Sequence, residues 1–257
     1  MKDQKLKNKL KNNELTIGSW ITIGHPAIPE ILASAGFDWL TIDIEHNSID
    51  NSMVQNLISS IQSKNMAALV RVSKNEEVVI KHTLDAGADG IIVPMINSRE
   101  EATKAVEYAK YPPIGKRGVG LSRAQSYGIG FDEYKDWVQN SLVVVAQIEH
   151  IKGVNNVEDI IKTPGIDAVF IGPYDLSGSL GFPGEYGRPE VMEALRKVES
   201  ICTASNFPMG YHVVPPQVDL MAKTISKGYK FIAFSTDFYF MGEMARNLMA
   251  TIEASRK

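Results

Sequence analysis

Cysteine is nearly missing from this chain, Cys202 being the only one in 257 residues. An internal disulfide is therefore excluded, and a reducing compartment suits the composition. A charge excess is missing too, the formal net charge being −3. That balance gives no electrostatic reason to expect nucleic acid, whose binding needs a clustered basic surface. No apolar run approaches the roughly 18 residues of a membrane span. The lysine-rich start, MKDQKLKNKLKNNEL, lacks the apolar stretch of a secretion signal. The expectation is a soluble, cytoplasmic protein that binds neither nucleic acid nor membrane. Leu6, Leu10 and Leu15, interleaved with lysines, suggest a short amphipathic helix over about residues 3–13 that closes the end of the domain.

What the chain does have is apolar content. At 44% hydrophobic over 257 residues, it can bury an ample core in one large α/β domain or two small ones. Short β-branched runs fall at 17–22, 39–45, 67–72, 89–95, 142–149, 167–172, 208–213 and 230–235. Most are apolar on both faces, as strands covered by helices must be. Helical patterns lie between them at 27–35, 51–63, 76–86, 98–109, 153–162, 189–205 and 216–227. Several end in glycine before the next strand, at Gly36, Gly87 and Gly228, the usual helix C-terminal signal. Eight such alternations predict a (β/α)8 TIM barrel. The doubly wound open sheet is the alternative, but the Gly-rich dinucleotide fingerprint is missing after the first strand. No linker or low-complexity segment divides the chain, so residues 1–257 read as a single barrel domain. Two connections, 96–141 and 173–207, are long, and long loops in a compact domain are commonly functional. Both follow strands and are expected to leave the same end of the barrel.

The apolar strand at 39–45 runs into Asp43, Glu45 and His46. Burying a charge is costly unless it is paired or metal-bound. The other strand ends add Trp20, Arg71, Gln147, Glu149, Asp175, His212, Ser235 and Asp237. In a barrel these positions converge on the face where catalysis takes place. Glu149 and Asp175 end or follow neighbouring strands. Two carboxylates so close repel unless a cation neutralises them, and their open coordination suits Mg2+ or Mn2+; local helix capping is the alternative. Arg71 can grip a carboxylate or oxyanion with two prongs, or pair with Asp43 or Glu45. His46 is the acid/base candidate, imidazole being the side chain suited to proton transfer near neutral pH, with Asp85 and Asp43 as available orienting carboxylates. Histidines after strands are also common structural hydrogen-bonders. Gln147 shares a strand face with Glu149 and can position a ligand or bond within the barrel. Trp20 and His212 are weaker candidates for substrate contact.

With these residues in place, the sequence resembles the HpcH/HpaI aldolase family, the metal-dependent (class II) pyruvate aldolases. The residues carrying the resemblance are AGFDWLTIDIEH (35–46), VRV (70–72), LDAGADGIIVPM (84–95), YPPIGKRGVG (111–120), QIE (147–149) and GPYDLSGSLG (172–181). The resemblance implies a (β/α)8 barrel in a hexamer or other dimer-based homo-oligomer, with sites near subunit boundaries. It implies that Glu149 and Asp175 bind Mg2+, Mn2+ or Co2+, and that Arg71 holds the oxoacid carbonyl and the enolate charge. His46, paired with Asp85, is implied as the base, and Gln147 lies beside the metal site. The expected reaction cleaves or forms a 4-hydroxy-2-oxoacid, of the 2-keto-3-deoxy sugar acid type, giving pyruvate and an aldehyde. The sequence departs from the family pattern at Ile44, at MGYHVVPP with its His212, and at FSTDFYF. The loop GLSRAQSYGIG (120–130) brings Arg123 to a place where substrate contact is expected. A related acyl-CoA lyase and a non-catalytic oxoacid-binding barrel are the alternatives.

Overall fold

Eight parallel strands close on themselves in sequence order in the computed structural model, which describes residues 5–256. They are β1 (Thr16–Ile21), β2 (Trp39–Asp43), β3 (Ala67–Arg71), β4 (Gly90–Val93), β5 (Val143–Ile148), β6 (Ala168–Ile171), β7 (Met209–Val213) and β8 (Phe231–Thr236). Closure removes both sheet edges and rules out the open doubly wound sheet. The helices of the first half are α1 (Lys5–Lys11), α2 (Ala27–Ala33), α3 (Asn51–Ser63), α4 (Glu77–Asp85), α5 (Arg99–Ala109) and α6 (Phe131–Asn140). Those of the second half are α7 (Ile151–Asn155), α8 (Val157–Ile161), α9 (Pro173–Ser179), α10 (Pro189–Ala204), α11 (Val218–Ser226) and α12 (Asp237–Ser255). Asp50 and Ser98 cap α3 and α5, accepting hydrogen bonds from the N–H groups of Met53 and Glu101. Such caps satisfy backbone donors that the first helical turn leaves free. Among the described residues no helix is long and apolar enough to cross a membrane.

Strand alternation sorts the core into two layers. Leu40, Ile42, Val70, Ile91, Val144, Val169 and Ile232 point outward to the helices. Trp20, Trp39, Leu69, Ile92, Val145, Phe170, Phe231 and Ala233 fill the barrel. Leu6 and Leu10 of α1 join the inner set, so this helix plugs the barrel floor, meaning the N-terminal end of the strands. Of the helix expected at 3–13, residues 3 and 4 lie outside the described residues. The rest is helical from Lys5 to Lys11.

The floor repeats one device. Gly36, Gly87 and Gly165, all at positive φ, each precede an aspartate by two residues and turn the chain from helix into strand. Asp38, Asp89 and Asp167 then accept the backbone N–H of Ile17, Ala68 and Val144, each at 2.9 Å. Lys9 bonds Asp38 at 2.6 Å and Lys7 bonds Asp167 at 2.5 Å. Gln62 donates to Asp89. Three of the four even strands, β2, β4 and β6, thus start on an aspartate that ties each to the strand before.

Two expectations are corrected here. The connection 96–141 holds α5, which returns the chain to the floor. The Pro-Pro and Gly-rich run of 111–130 therefore lies at the end opposite to 173–188. The second is the list of helical patterns, which stopped at 227: α12 follows β8 and is the longest helix among the described residues.

Candidate active site

Along the inner face of each strand, the side chains turn from apolar to polar towards the C-terminal end. Position i+2 of an inward residue also points inward, so Thr41 leads to Asp43, Leu69 to Arg71, Val145 to Gln147 and Gly210 to His212. Asp43 and Arg71 are direct partners in the β2–β3 register. Arg71 Nε and Nη2 donate to the two Asp43 carboxylate oxygens at 2.9 and 2.8 Å. Asn47 donates to Asp43 Oδ2 at 2.6 Å. Glu45 Oε2 lies 3.4 Å from Arg71 Nε and 3.8 Å from His46 Nε2. Beneath the guanidinium sits the Trp20 ring, its centroid 4.8 Å from Arg71 Cζ. A shallow cavity of about 230 Å³ opens here, bordered by Trp20, Thr22, Asp43, His46, Arg71 and His212. A larger cavity, about 460 Å³, lies at the floor beside α1. Its Lys7, Lys9, Asp38 and Asp89 belong to the strand-start contacts already described, so the smaller one is the candidate site.

Across the rim from Arg71, Glu149 is 4% exposed. Its Oε1 accepts the Met95 N–H at 2.7 Å and its Oε2 accepts Gln147 Nε2–H at 2.5 Å. Met95 reaches that position in the left-handed conformation, φ +54, which a non-glycine residue rarely adopts. Gly172 leaves room for the carboxylate, because a Cβ there would come within 2.8 Å of Glu149 Oε2. Burial pushes the Glu149 carboxyl up to about 7. The Met95 N–H and Gln147 bonds oppose that rise, and the charges of Glu45 and Asp175 add to it. Glu45 is raised as well, by burial first; Arg71 opposes this, and Asp43 and Asp175 reinforce it. Burial also works against ionised Asp43, but the bond and charge of Arg71 outweigh it and hold that carboxyl below the ordinary range. Glu45 Oε2 and Gln147 Oε1 are buried without a hydrogen-bond partner. Four acids and one guanidinium thus share the rim.

That imbalance is what a cation would relieve. Among the described residues, no three His, Cys, Asp or Glu side chains stand close enough to enclose a metal. Two carboxylates, Glu149 and exposed Asp175 at the start of α9, instead fit a site left open on one side. Mg2+ and similar hard cations are commonly held by one or two carboxylates with water or substrate oxygens completing the set. The unpartnered Gln147 Oε1 faces the same need for a donor or cation.

The remaining candidates separate. His46 follows β2 and is 65% exposed. Asp85 ends α4 at the floor, where Arg117 holds it at 2.6 Å, so one chain does not bring His46 and Asp85 together. Arg123 is also off the rim. Its guanidinium donates to Ala86 O and Gln62 Oε1 at the floor ends of α4 and α3, and the expected substrate contact is not made within one chain. Trp20 is buried and donates to His212 Nδ1 at 2.5 Å. His212 Nε2 lies 3.1 Å from Ser235 O. Burial drives the His212 pKa down to about 3, the Ser235 carbonyl resists, and Arg71 adds to the fall. Asp237 accepts from Thr22 N, Thr22 Oγ1 and Ile23 N and ties β1 to α12. The Met95 N–H and Gly172 escaped sequence reasoning, because neither contributes a functional side chain.

The sequence profile described as HpcH/HpaI aldolase/citrate lyase matches residues 16–241. A Pseudomonas putida protein named 2-dehydro-3,6-dideoxy-6-sulfogluconate aldolase is 32% identical over 95% of this chain and 95% of its own. A Shigella dysenteriae protein named 5-keto-4-deoxy-D-glucarate aldolase is 34% identical over 97% of this chain and 96% of its own. A solved HpcH/HpaI aldolase/citrate lyase family protein from Burkholderia cenocepacia superposes with a TM-score of 0.92. It is 30% identical and covers 98% of this chain and 100% of its own.

Proposed function

This chain belongs to the HpcH/HpaI aldolase/citrate lyase family, and from that premise we propose that it is a class II pyruvate aldolase. Its substrate would be a 4-hydroxy-2-oxoacid of the 2-keto-3-deoxy sugar acid type, cleaved to pyruvate and an aldehyde. The names of the two aldolase relatives, both for keto-deoxy sugar acids, support that substrate class. One observation carries the chemistry: Arg71, fixed by Asp43 over Trp20, shares the rim with the buried acid Glu149 and with Glu45. Asp43 takes two of the five guanidinium donors, and the others are available to the oxoacid. Arg71 would stabilise negative charge as it develops on the 2-oxo oxygen, where preorganised donors contribute most. Glu149 and Asp175 would hold a divalent cation (Mg2+, Mn2+ or Co2+), with Gln147 alongside. When bound, that cation supplies Lewis-acid polarisation of the same oxygen. His46 would take the proton of the 4-hydroxyl. The C3–C4 bond then breaks, its electron pair moves into the enolate, the aldehyde leaves, and protonation at C3 gives the pyruvate methyl.

We further propose a homo-oligomer, a hexamer or other dimer-based assembly, in which the site is completed between copies. His46 and Asp85 lie at opposite ends of one barrel, so their pairing requires a second chain. Asp85 sits beside the 119–129 loop, whose Val119, Leu121, Tyr127 and Ile129 are exposed. On α12, Phe238, Met241, Met244, Leu248 and Ile252 form an exposed apolar stripe, and only Asp237 of the helix is buried. Large uncovered apolar faces mark interaction surfaces. The chain would act as one barrel domain in a reducing, cytoplasmic setting.

Exchange of pyruvate methyl protons for deuterium, followed by NMR, tests the enolate step without knowledge of the aldehyde. Exchange should require both a divalent cation and Arg71, and should vanish in Arg71→Ala. Cation-supported exchange that survives in Arg71→Ala would overturn the assignment. Mixing His46→Ala with Asp85→Ala chains should restore part of the activity, since one hybrid site then carries both native residues.

A further inference from the structure

His212 stands on β7, inside the barrel, and both of its ring nitrogens are committed. A backbone carbonyl only accepts, so the contact with Ser235 O at 3.1 Å puts the imidazole proton on Nε2. The lone pair on Nδ1 then receives the Trp20 indole N–H at 2.5 Å. No nitrogen is left over for a substrate. Ser235 is itself unusual, a non-glycine residue at φ +56 where the β1–β8 register shifts between Gly18 and Trp20. Its carbonyl also accepts from Ser19 Oγ at 3.1 Å. His212 thus joins β7 to the irregular end of β8 and to the indole on β1.

The indole carries this fixation across the barrel. One edge of Trp20 packs against Phe170, with ring centroids 5.8 Å apart at 80°. Its face lies under Arg71 Cζ at 4.8 Å. Asp43 fixes two guanidinium nitrogens from the side, and the indole face fixes the plane from below. Without the bond to His212, an indole at the open end of a barrel has other χ2 orientations available. We propose that His212 is a positioning residue, which as a fixed neutral tautomer clamps Trp20 and through it the plane of the Arg71 guanidinium. The inference rests on reading Arg71 as the group that binds the oxoacid. The charges facing His212 are those of Arg71 and Asp43. Burial keeps the imidazole neutral far below pH 7. A protonated ring would place a donor against the indole donor and break the clamp.

The test pairs spectroscopy on the unaltered protein with kinetics. The His212 15N resonances should report a neutral Nε2–H tautomer that does not titrate between pH 5.5 and 8. One of the three indole N–H signals should move in His212→Phe. In Arg71-dependent pyruvate exchange, His212→Phe and Trp20→Phe should each raise KM by about 5- to 50-fold, the range expected for losing one cation–π support and its alignment. kcat should change less. The double variant should be no worse than the worse single, as two members of one chain of contacts require. His212→Asn, which keeps an acceptor for the indole, should recover part of the loss. An imidazole that titrates in that range, a His212→Phe enzyme with unchanged KM, or multiplicative effects in the double variant would overturn the inference alone. Wild-type exchange that ignores Arg71 would instead overturn the proposed function, and this inference with it.

Discussion

At the floor of the barrel, Asp38 and Asp167 each meet a lysine from α1 and a backbone N–H from the preceding strand. At the rim, Asp43, Glu45, Glu149 and Asp175 share one guanidinium. Both ends bury carboxylates, but the rim leaves Glu45 and Glu149 less well balanced than the floor leaves its own. The rim keeps two buried oxygens without hydrogen-bond partners, on Glu45 and Gln147. It also holds Glu149 near neutrality of charge, its pKa raised to about 7. The floor's acids therefore serve the fold, whereas Glu45 and Glu149 at the rim oppose it until something positive arrives. Perturbed carboxylates at one end of a barrel and satisfied ones at the other distinguish a reactive face from a structural one.

Neutralising one acid at each end tests this directly. Glu149→Gln should lower cation-dependent pyruvate exchange by at least about 10³-fold, since the cation's contribution is worth several kcal/mol. The same substitution should leave the melting temperature of the cation-free protein unchanged or higher, because a buried, repelled charge is removed. A clear fall in melting temperature would mean that Glu149 is a structural acid like those below. At the floor, Leu10→Ala should behave in the opposite way. Leu10 is 1% exposed inside the barrel, so truncation should destabilise by about 2–4 kcal/mol, while the folded fraction keeps its exchange rate.

Titration sharpens the contrast, and its sign can be worked out. Glu149 has a folded pKa of about 7, above the ordinary glutamate value of 4.5. The protonated form is favoured by folding, so its contribution is fully present below about pH 4.5 and is lost as pH rises to about 7. With a chelator present, wild-type stability should therefore fall across that window, by on the order of 3 kcal/mol. Glu149→Gln should flatten that slope, and a saturating divalent cation should reverse it. Asp43 titrates the other way. Its folded pKa is depressed, so its contribution stands above the ordinary carboxylate range and disappears as pH drops below it.

Much of the floor-to-rim layout was legible in the sequence. The eight strands fall within one or two residues of the β-branched runs, because strands buried on both faces are apolar throughout. The helix-ending glycines at 36, 87 and 228 mark three of the four turns that start the even strands. Arg71, Glu149, Asp175 and His46 could be placed at strand ends because period-two alternation fixes which side chains enter the barrel. What escaped reading depends on chain direction and on backbone. The run 111–130 looked like a rim loop until α5 carried it back to the floor, and Arg123 and Asp85 went with it. The Met95 N–H leaves no side-chain signal, and the clamp between His212 and Trp20 joins residues 192 positions apart. The aspartates at 38, 89 and 167 stand in a Gly-x-Asp repeat, a pattern whose meaning emerges only once the strand starts are seen side by side.

The smallest expected effects come from Lys7 and Lys9 of α1, and they test whether burial decides the worth of an ion pair. Lys7 and Asp167 are 18% and 13% exposed, while Lys9 and Asp38 are 36% and 31% exposed. Lys7 also donates to Leu142 O at 3.0 Å. Replacing Lys7 by Gln removes the charge while retaining hydrogen-bonding capacity, yet leaves Asp167 in a confined place. A loss of about 1–3 kcal/mol is expected there, the range for leaving a buried group short of its partner. Lys9→Gln faces more water and should lose no more than about 1 kcal/mol, as exposed pairs do. Adding salt should shrink the Lys9 effect more than the Lys7 effect, since screening acts on the charges that solvent reaches. Chemical denaturation of the two variants at low and high salt would decide the matter. Equal losses with equal salt dependence would show that α1 acts through its leucines alone, and that the floor's charges are no better placed for stability than an ordinary surface.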